Sequence, residues 1–159
     1  EERFTKSSEE MHALLQIAMG GMVAEEHWFD ELSTGPASDL AAATSIGAQM
    51  IGACGMGNSL ISVAAAGNGY LEGNVVDKVL GDKAARAELD SLLMGACDAA
   101  KEIVSAHTEV VEALRDQLLE RDELVGTEIT DVIEAALQES PESAVITALP
   151  RPPAAASQG

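Results

Sequence analysis

Residues 82–106 read DKAARAELDSLLMGACDAAKEIVSA, and this stretch decides the fold class. Leu89, Leu92, Leu93, Ala96, Ala99, Ala100 and Ile103 recur at intervals of three and four, the spacing that gathers side chains on one helix face. Downstream, Val110, Val111, Leu114 and Leu118 continue the pattern, either in phase or after a break around His107-Thr108. Gly126-Thr127 then caps a last helix carrying Ile129, Val132, Ile133, Ala136 and Leu137. Upstream, Ser7-x-x-Glu10 is a capping-box pattern that opens a long segment with Leu14, Leu15, Ala18, Met19, Met22 and Val23 on one face. Gly20-Gly21 interrupts it at about 1 kcal/mol per glycine, which implies that another group approaches closely there. After the loop Ser33-Thr34-Gly35-Pro36, a second helix starts at Ser38 or Asp39 and turns Leu40, Ala43, Ile46, Met50 and Ile51 inward. Residues 56–81 are glycine-rich and receive no assignment, with a short strand or a buried turn open for 59–65. The fold expected is all-α, a bundle of four to five helices near 8–31, 38–53, 82–106, 108–121 and 127–138.

Composition supports that reading and narrows the function. Aromatic residues are 3% of the 159, so the core is built from Ala, Leu, Val, Ile and Met, which favours helices. Nine basic residues against 27 acidic ones give a formal charge of −18, a surface that repels phosphate backbones and anionic membranes. Nucleic acid is therefore excluded as a partner. Residues 40–71 carry no charge, but Thr44, Gln49, Asn58, Asn68 and repeated glycines break the apolar run of about 20 residues that a membrane span requires. The chain opens on Glu1 without a signal peptide, as a processed product or an expressed fragment does. From Pro141 onward, PESAVITALPRPPAAASQG loses helical periodicity, so residues 1–139 are expected to form the folded domain and 140–159 a flexible Pro/Ala-rich tail.

The motifs of several chemistries are missing. There is no G-x-x-x-x-G-K-[ST] phosphate loop and no G-x-S-x-G elbow, and His12, His27 and His107 never fall in H-E-x-x-H. Cys54 and Cys97 have no zinc-type spacing and are expected to be reduced, buried packing residues. His107 stands at a helix junction, where a capping or surface role is ordinary, and His27 with Asp30 makes an exposed pair at i, i+3. Glu25 follows Val23 and Ala24 on a segment otherwise turned to the core, and a carboxylate there needs a partner. On spacing alone Asp39 is an ordinary N-cap residue, with a metal-ligand role the rarer alternative.

The ordered set Gly20-Gly21-Met22-Val23-Ala24-Glu25-Glu26, then Ser33-Thr34-Gly35 with Asp39-Leu40, then Gly55-Met56, resembles the peptidase domain of the FtsH family, the membrane-anchored AAA zinc metalloproteases. The family pattern is approximately G-G-R-x-A-E-E, S/T-T-G-A-x-x-D-L and W-G-M-S, and the resemblance covers residues 7–138. It implies that Asp39 is the third zinc ligand, beside two histidines of an H-E-x-x-H whose glutamate is the general base. It also implies that Glu25 orients a ligand histidine by accepting its second N–H. The H-E-x-x-H segment and the ATP-binding module are expected upstream of this chain, so the catalytic residues lie outside it and the chain alone is expected to be inactive. By the same resemblance the parent degrades protein substrates, forms a hexameric ring, and is membrane-associated only through segments outside this chain. This domain is then on the cytoplasmic or an equivalent reducing side.

The sequence departs from the family pattern at Met22 for Arg, Asp30 for Gly, Pro36 for Ala and Cys54 for Trp. Two other readings compete with a protease part. One is a non-catalytic relative whose helices serve oligomerisation or docking. The other is an unrelated acidic helical interaction domain. The uncharged stretch from Leu40 to Leu71 is the expected location of any exposed apolar surface.

Overall fold

A computed structural model of the chain describes residues 5–31, 33–65 and 74–139. Six α-helices follow in order: α1 Ser8–Phe29, α2 Ala37–Gly52, α3 Val75–Gly81, α4 Lys83–Ala106, α5 Thr108–Arg121 and α6 Thr127–Glu139. A 3₁₀ turn covers Val63–Ala65, and the described residues contain no strand. The all-α expectation holds, as do the five helices expected. The sixth, α3, lies in the glycine-rich region that received no assignment. The chain divides into two compact units, residues 1–106 and 107–159, at the His107 break that the periodicity left open. The expected tail, 140–159, lies outside the described residues.

In the first unit the capping box forms as the sequence implies: the Glu10 N–H donates to Ser7 Oγ at 3.2 Å, and the Ser7 N–H donates back to Glu10 Oε2 at 2.6 Å. Met11, Leu15, Met19 and Val23, four residues apart, make the buried stripe of α1. They pack with Ala43 and Met50 of α2 and with Ala96 and Ala100 of α4. Complete burial of Leu15 and Val23 is worth about 1.5–3 kcal/mol each. A second cluster joins Ala48 and Ile51 of α2, Val79 of α3, and Ala85 and Leu89 of α4. Small residues allow that approach. A Cβ on Gly47 would lie 2.5 Å from Leu89 Cδ1, and one on Gly52 would lie 2.7 Å from Val79 Cγ2 and 2.8 Å from Val75 Cγ2. Asp82 heads α4 by accepting the Ala84 and Ala85 N–H groups at 3.0 and 2.8 Å.

Several inward assignments do not hold. Leu40, in the first turn of α2, and Ile103, in the last turn of α4, are 45% and 50% exposed. The uncharged stretch is divided in its use: Ala43, Ala48, Met50 and Ile51 are buried within the chain, whereas Leu60 and Ile61 are exposed. Residues 66–71 of that stretch lie outside the described residues. Cys54 is exposed, not buried, since the chain has already left α2 at Gly52; Cys97 is half-buried, and burial raises its thiol pKa while Lys101 opposes the shift. Both cysteines are free.

The second unit is a helical hairpin of α5 and α6. Its turn uses two positive-φ residues, Asp122 (63°) and Gly126 (58°). Glu128 ties the turn together: it pairs with Arg121 and accepts the Val125 N–H at 3.0 Å. The Val125 N–H, then Arg121, hold the Glu128 carboxyl below its ordinary pKa. Val110 is buried, while Leu118 is 44% exposed, contrary to its place in the sequence pattern. His107 precedes α5 without a side-chain cap; its carbonyl accepts the Val110 and Val111 N–H groups at 3.1 and 3.2 Å.

Candidate functional site

The end of α1 and the start of α2 bring the two acids singled out by sequence onto neighbouring ground. Gly21 and Glu25 are four residues apart and share a face of α1. The loop that returns to α2 is held to this face by Glu25. The Ser33 N–H donates to Glu25 Oε2 at 3.0 Å and the Ser33 hydroxyl donates to Glu25 Oε1 at 2.9 Å. Ser33 Oγ in turn accepts the Gly35 N–H at 2.9 Å. A Cβ on Gly35 would lie 3.1 Å from both Glu25 Oε1 and Ser33 Oγ, so a side chain there would push the two groups back by a few tenths of an ångström. The partner that a half-buried Glu25 required is therefore Ser33.

Four residues after Gly35 comes Asp39. It is not the N-cap. Pro36 occupies that position without a side-chain cap, α2 begins at Ala37, and Asp39 is the third helical residue. Proline's fixed φ, here −72°, suits the entry to a helix and sets the start earlier than Ser38. A carboxylate in this first turn faces the positive end of the helix dipole. The Asp39 side chain is exposed and accepts no hydrogen bond from the described residues. Its Oδ2 lies 3.2 Å from the point a Gly21 Cβ would occupy, which is the close approach expected of the glycine pair. Gly20 has nothing within 4 Å of that point, so the second glycine alone answers to a neighbour.

The flanking residues have other partners. Glu26 pairs with Lys101 of α4 at 2.8 Å, which raises the lysine pKa. Asp30 ends α1 in the left-handed region, φ 51°, where its N–H reaches the Glu26 carbonyl at 3.2 Å. His27 stacks edge-on with Trp28 at 4.5 Å, and His12 Nδ1 donates to the Ser8 carbonyl at 2.8 Å. Among the described residues no group of three or more His, Cys, Asp or Glu is placed to hold a metal ion. Asp39 is an exposed carboxylate that accepts no hydrogen bond from the described residues, which leaves both of its oxygens open. Ser33-Thr34-Gly35 stands in the sequence as a loop and as a motif of the family pattern, and what the motif does not reveal is that Ser33 is the partner of Glu25; the S-x-G spacing, which lets a hydroxyl accept the amide two residues on, is the available signal.

Comparison with known proteins extends this picture. The model of peptidase family M41 matches residues 1–132. The chain is 29% identical over 138 residues to the ATP-dependent zinc metalloprotease FtsH of Chlorobium luteolum, covering 84% of this chain and 20% of that protein. It is 31% identical over 139 residues to the protein of the same name from Pelodictyon phaeoclathratiforme, covering 83% and 21%. It is 32% identical over 140 residues to ATP-dependent zinc metalloprotease FTSH 9, chloroplastic/mitochondrial, of Oryza sativa subsp. japonica, covering 86% and 16%. The chain belongs to peptidase family M41. It spans about a fifth of the length of the curated relatives it matches.

Proposed function

We propose that this chain is the C-terminal part of the peptidase domain of an ATP-dependent zinc endopeptidase, and that Asp39 is the zinc ligand it contributes. The observation that supports the reading is the placement of Asp39: an exposed carboxylate without a hydrogen bond from the described residues, set over Gly21 at the third position of α2. A zinc ligand oxygen needs that availability, and three protein ligands are the usual catalytic set. Two histidines of an H-E-x-x-H segment upstream complete the set, and its glutamate is the general base. When bound, zinc supplies an activated water and polarises the scissile carbonyl. Glu25 anchors the ligand loop through Ser33, and its remaining lone pairs are available to a ligand histidine.

In this reading ATP is bound by a module outside the chain, proteins are the substrates, and the parent assembles as a homo-oligomeric ring. Membrane attachment also belongs to the parent: among the described residues no helix is long and apolar enough to cross a bilayer. The domain is then residues 1–139, with 140–159 as its tail. In a parent carrying H-E-x-x-H, Asp39→Asn abolishes proteolysis while circular dichroism keeps its helical spectrum. Glu25→Gln lowers activity or metal affinity by on the order of 10–100-fold. Full proteolysis by the Asp39 variant would show that another residue completes the site.

A further inference from the structure

We propose that Ser33 is a positioning residue that sets Asp39 against α1, an inference that rests on Asp39 being a metal ligand. Its hydroxyl is the link between two otherwise separate groups. It donates to Glu25 Oε1 at 2.9 Å and accepts the Gly35 N–H at 2.9 Å, so the loop conformation leading to α2 is written onto a half-buried carboxylate of α1. The Ser33 N–H adds a second bond to the other oxygen of the same carboxylate. With both oxygens engaged by one residue, the carboxylate plane fixes the direction in which the chain leaves Ser33.

The rest of the path is short. The Ala37 N–H reaches the Thr34 carbonyl at 3.3 Å and the Leu40 N–H reaches the Pro36 carbonyl at 2.9 Å, so the turn runs into α2 without a free joint. Asp39 then meets α1 one helical turn before Glu25, beside Gly21. The α1 face thus contributes two features at i and i+4: a vacant side-chain position that admits Asp39, and an acid that holds the loop. A ligand held this way keeps its place before metal arrives, which lowers the ordering cost of binding.

Serine differs from alanine here by both hydroxyl bonds, and threonine retains them. In the 159-residue chain, Ser33→Ala speeds solvent exchange of the Gly35 amide by roughly 5-fold, the loss expected from one ordinary hydrogen bond. It also weakens the nuclear Overhauser contact between Gly21 Hα and Asp39 Hβ, and Ser33→Thr restores both. In the full-length parent, zinc competition against a chelator gives Ser33→Ala an affinity lower by on the order of 10-fold, with Ser33→Thr near wild type and Asp39→Asn weaker than either. A Ser33→Ala chain that keeps the Gly21–Asp39 contact and the zinc affinity overturns the proposal, even if it melts earlier. If Asp39→Asn holds zinc as tightly as wild type, the ligand assignment fails instead. In that case the contact and exchange measurements alone decide whether Ser33 places Asp39.

Discussion

The adjacent glycines of α1 provide an internal comparison, because their sequence context is almost the same and their surroundings are not. Alanine at either position gains about 0.5–1 kcal/mol of helix stability through the lower backbone entropy of the unfolded chain. At Gly20 nothing lies within 4 Å of the new methyl, so Gly20→Ala shows that gain in full. At Gly21 the methyl would sit 3.2 Å from Asp39 Oδ2, a few tenths of an ångström inside ordinary contact. The carboxylate is exposed and turns away at a cost of about 0.5–1.5 kcal/mol if it must leave its rotamer. Gly21→Ala is therefore close to neutral, roughly 0.5–1.5 kcal/mol less favourable than Gly20→Ala. Urea denaturation followed by circular dichroism resolves that difference. In an Asp39→Ala background the two alanine substitutions become equivalent, as a double-mutant cycle isolates the contact. Equal gains at both positions in the wild-type background would refute the placement of Asp39 over Gly21.

Three further outcomes are expected. Gly52→Ala drives a methyl into Val75 and Val79, whose branched side chains have little rotamer freedom, and destabilises the first unit by about 1–3 kcal/mol in denaturant unfolding. Asp30→Gly removes both a left-handed non-glycine residue and an acid at a helix C-terminus, and raises stability by about 1 kcal/mol in the same assay. Glu128, held below its ordinary pKa, contributes stability that is complete above the unfolded value of about 4.3 and declines as pH falls through the lower folded value. Amide protection factors in α5 and α6, corrected for the pH dependence of intrinsic exchange, therefore fall in that acid window, and Glu128→Gln removes the part of the dependence due to this group.

The long helices were legible because each carries its own evidence. The capping box fixes the start of α1 at its first residue, and the leucine and alanine stripe of α4 survives in the burial of Leu89, Ala96 and Ala100. α3 was not legible. Its seven residues, VVDKVLG, are too few to show a period and include three valines, and they become helical through the Asn74 cap and the burial of Val79 in the Gly52 gap. The site divides along the same line. A carboxylate on a mostly apolar face marked Glu25 as a residue needing a partner, but its identity depends on a loop folding back across eight residues. Asp39 was located in sequence, while its helical position followed from Pro36, whose effect on the helix start outweighed the usual preference for Ser or Asp at the cap. Cys54 is surrounded in sequence by small residues that suit a packed interior, but it lies two residues past the end of α2 and is exposed.

Under the proposed function, Asp39 is one zinc ligand of a site whose other ligands come from the parent protein. The most direct test is the zinc-to-protein ratio after dialysis, measured for the 159-residue chain and for the parent extended through the histidine pair, each with and without Asp39→Asn. Well under one zinc per molecule is expected for the chain alone, about one for the extended parent, and a marked loss on Asp39→Asn, consistent with the usual set of three protein ligands. Stoichiometric zinc on the isolated chain, held through Asp39 with His12 or His27, would contradict it.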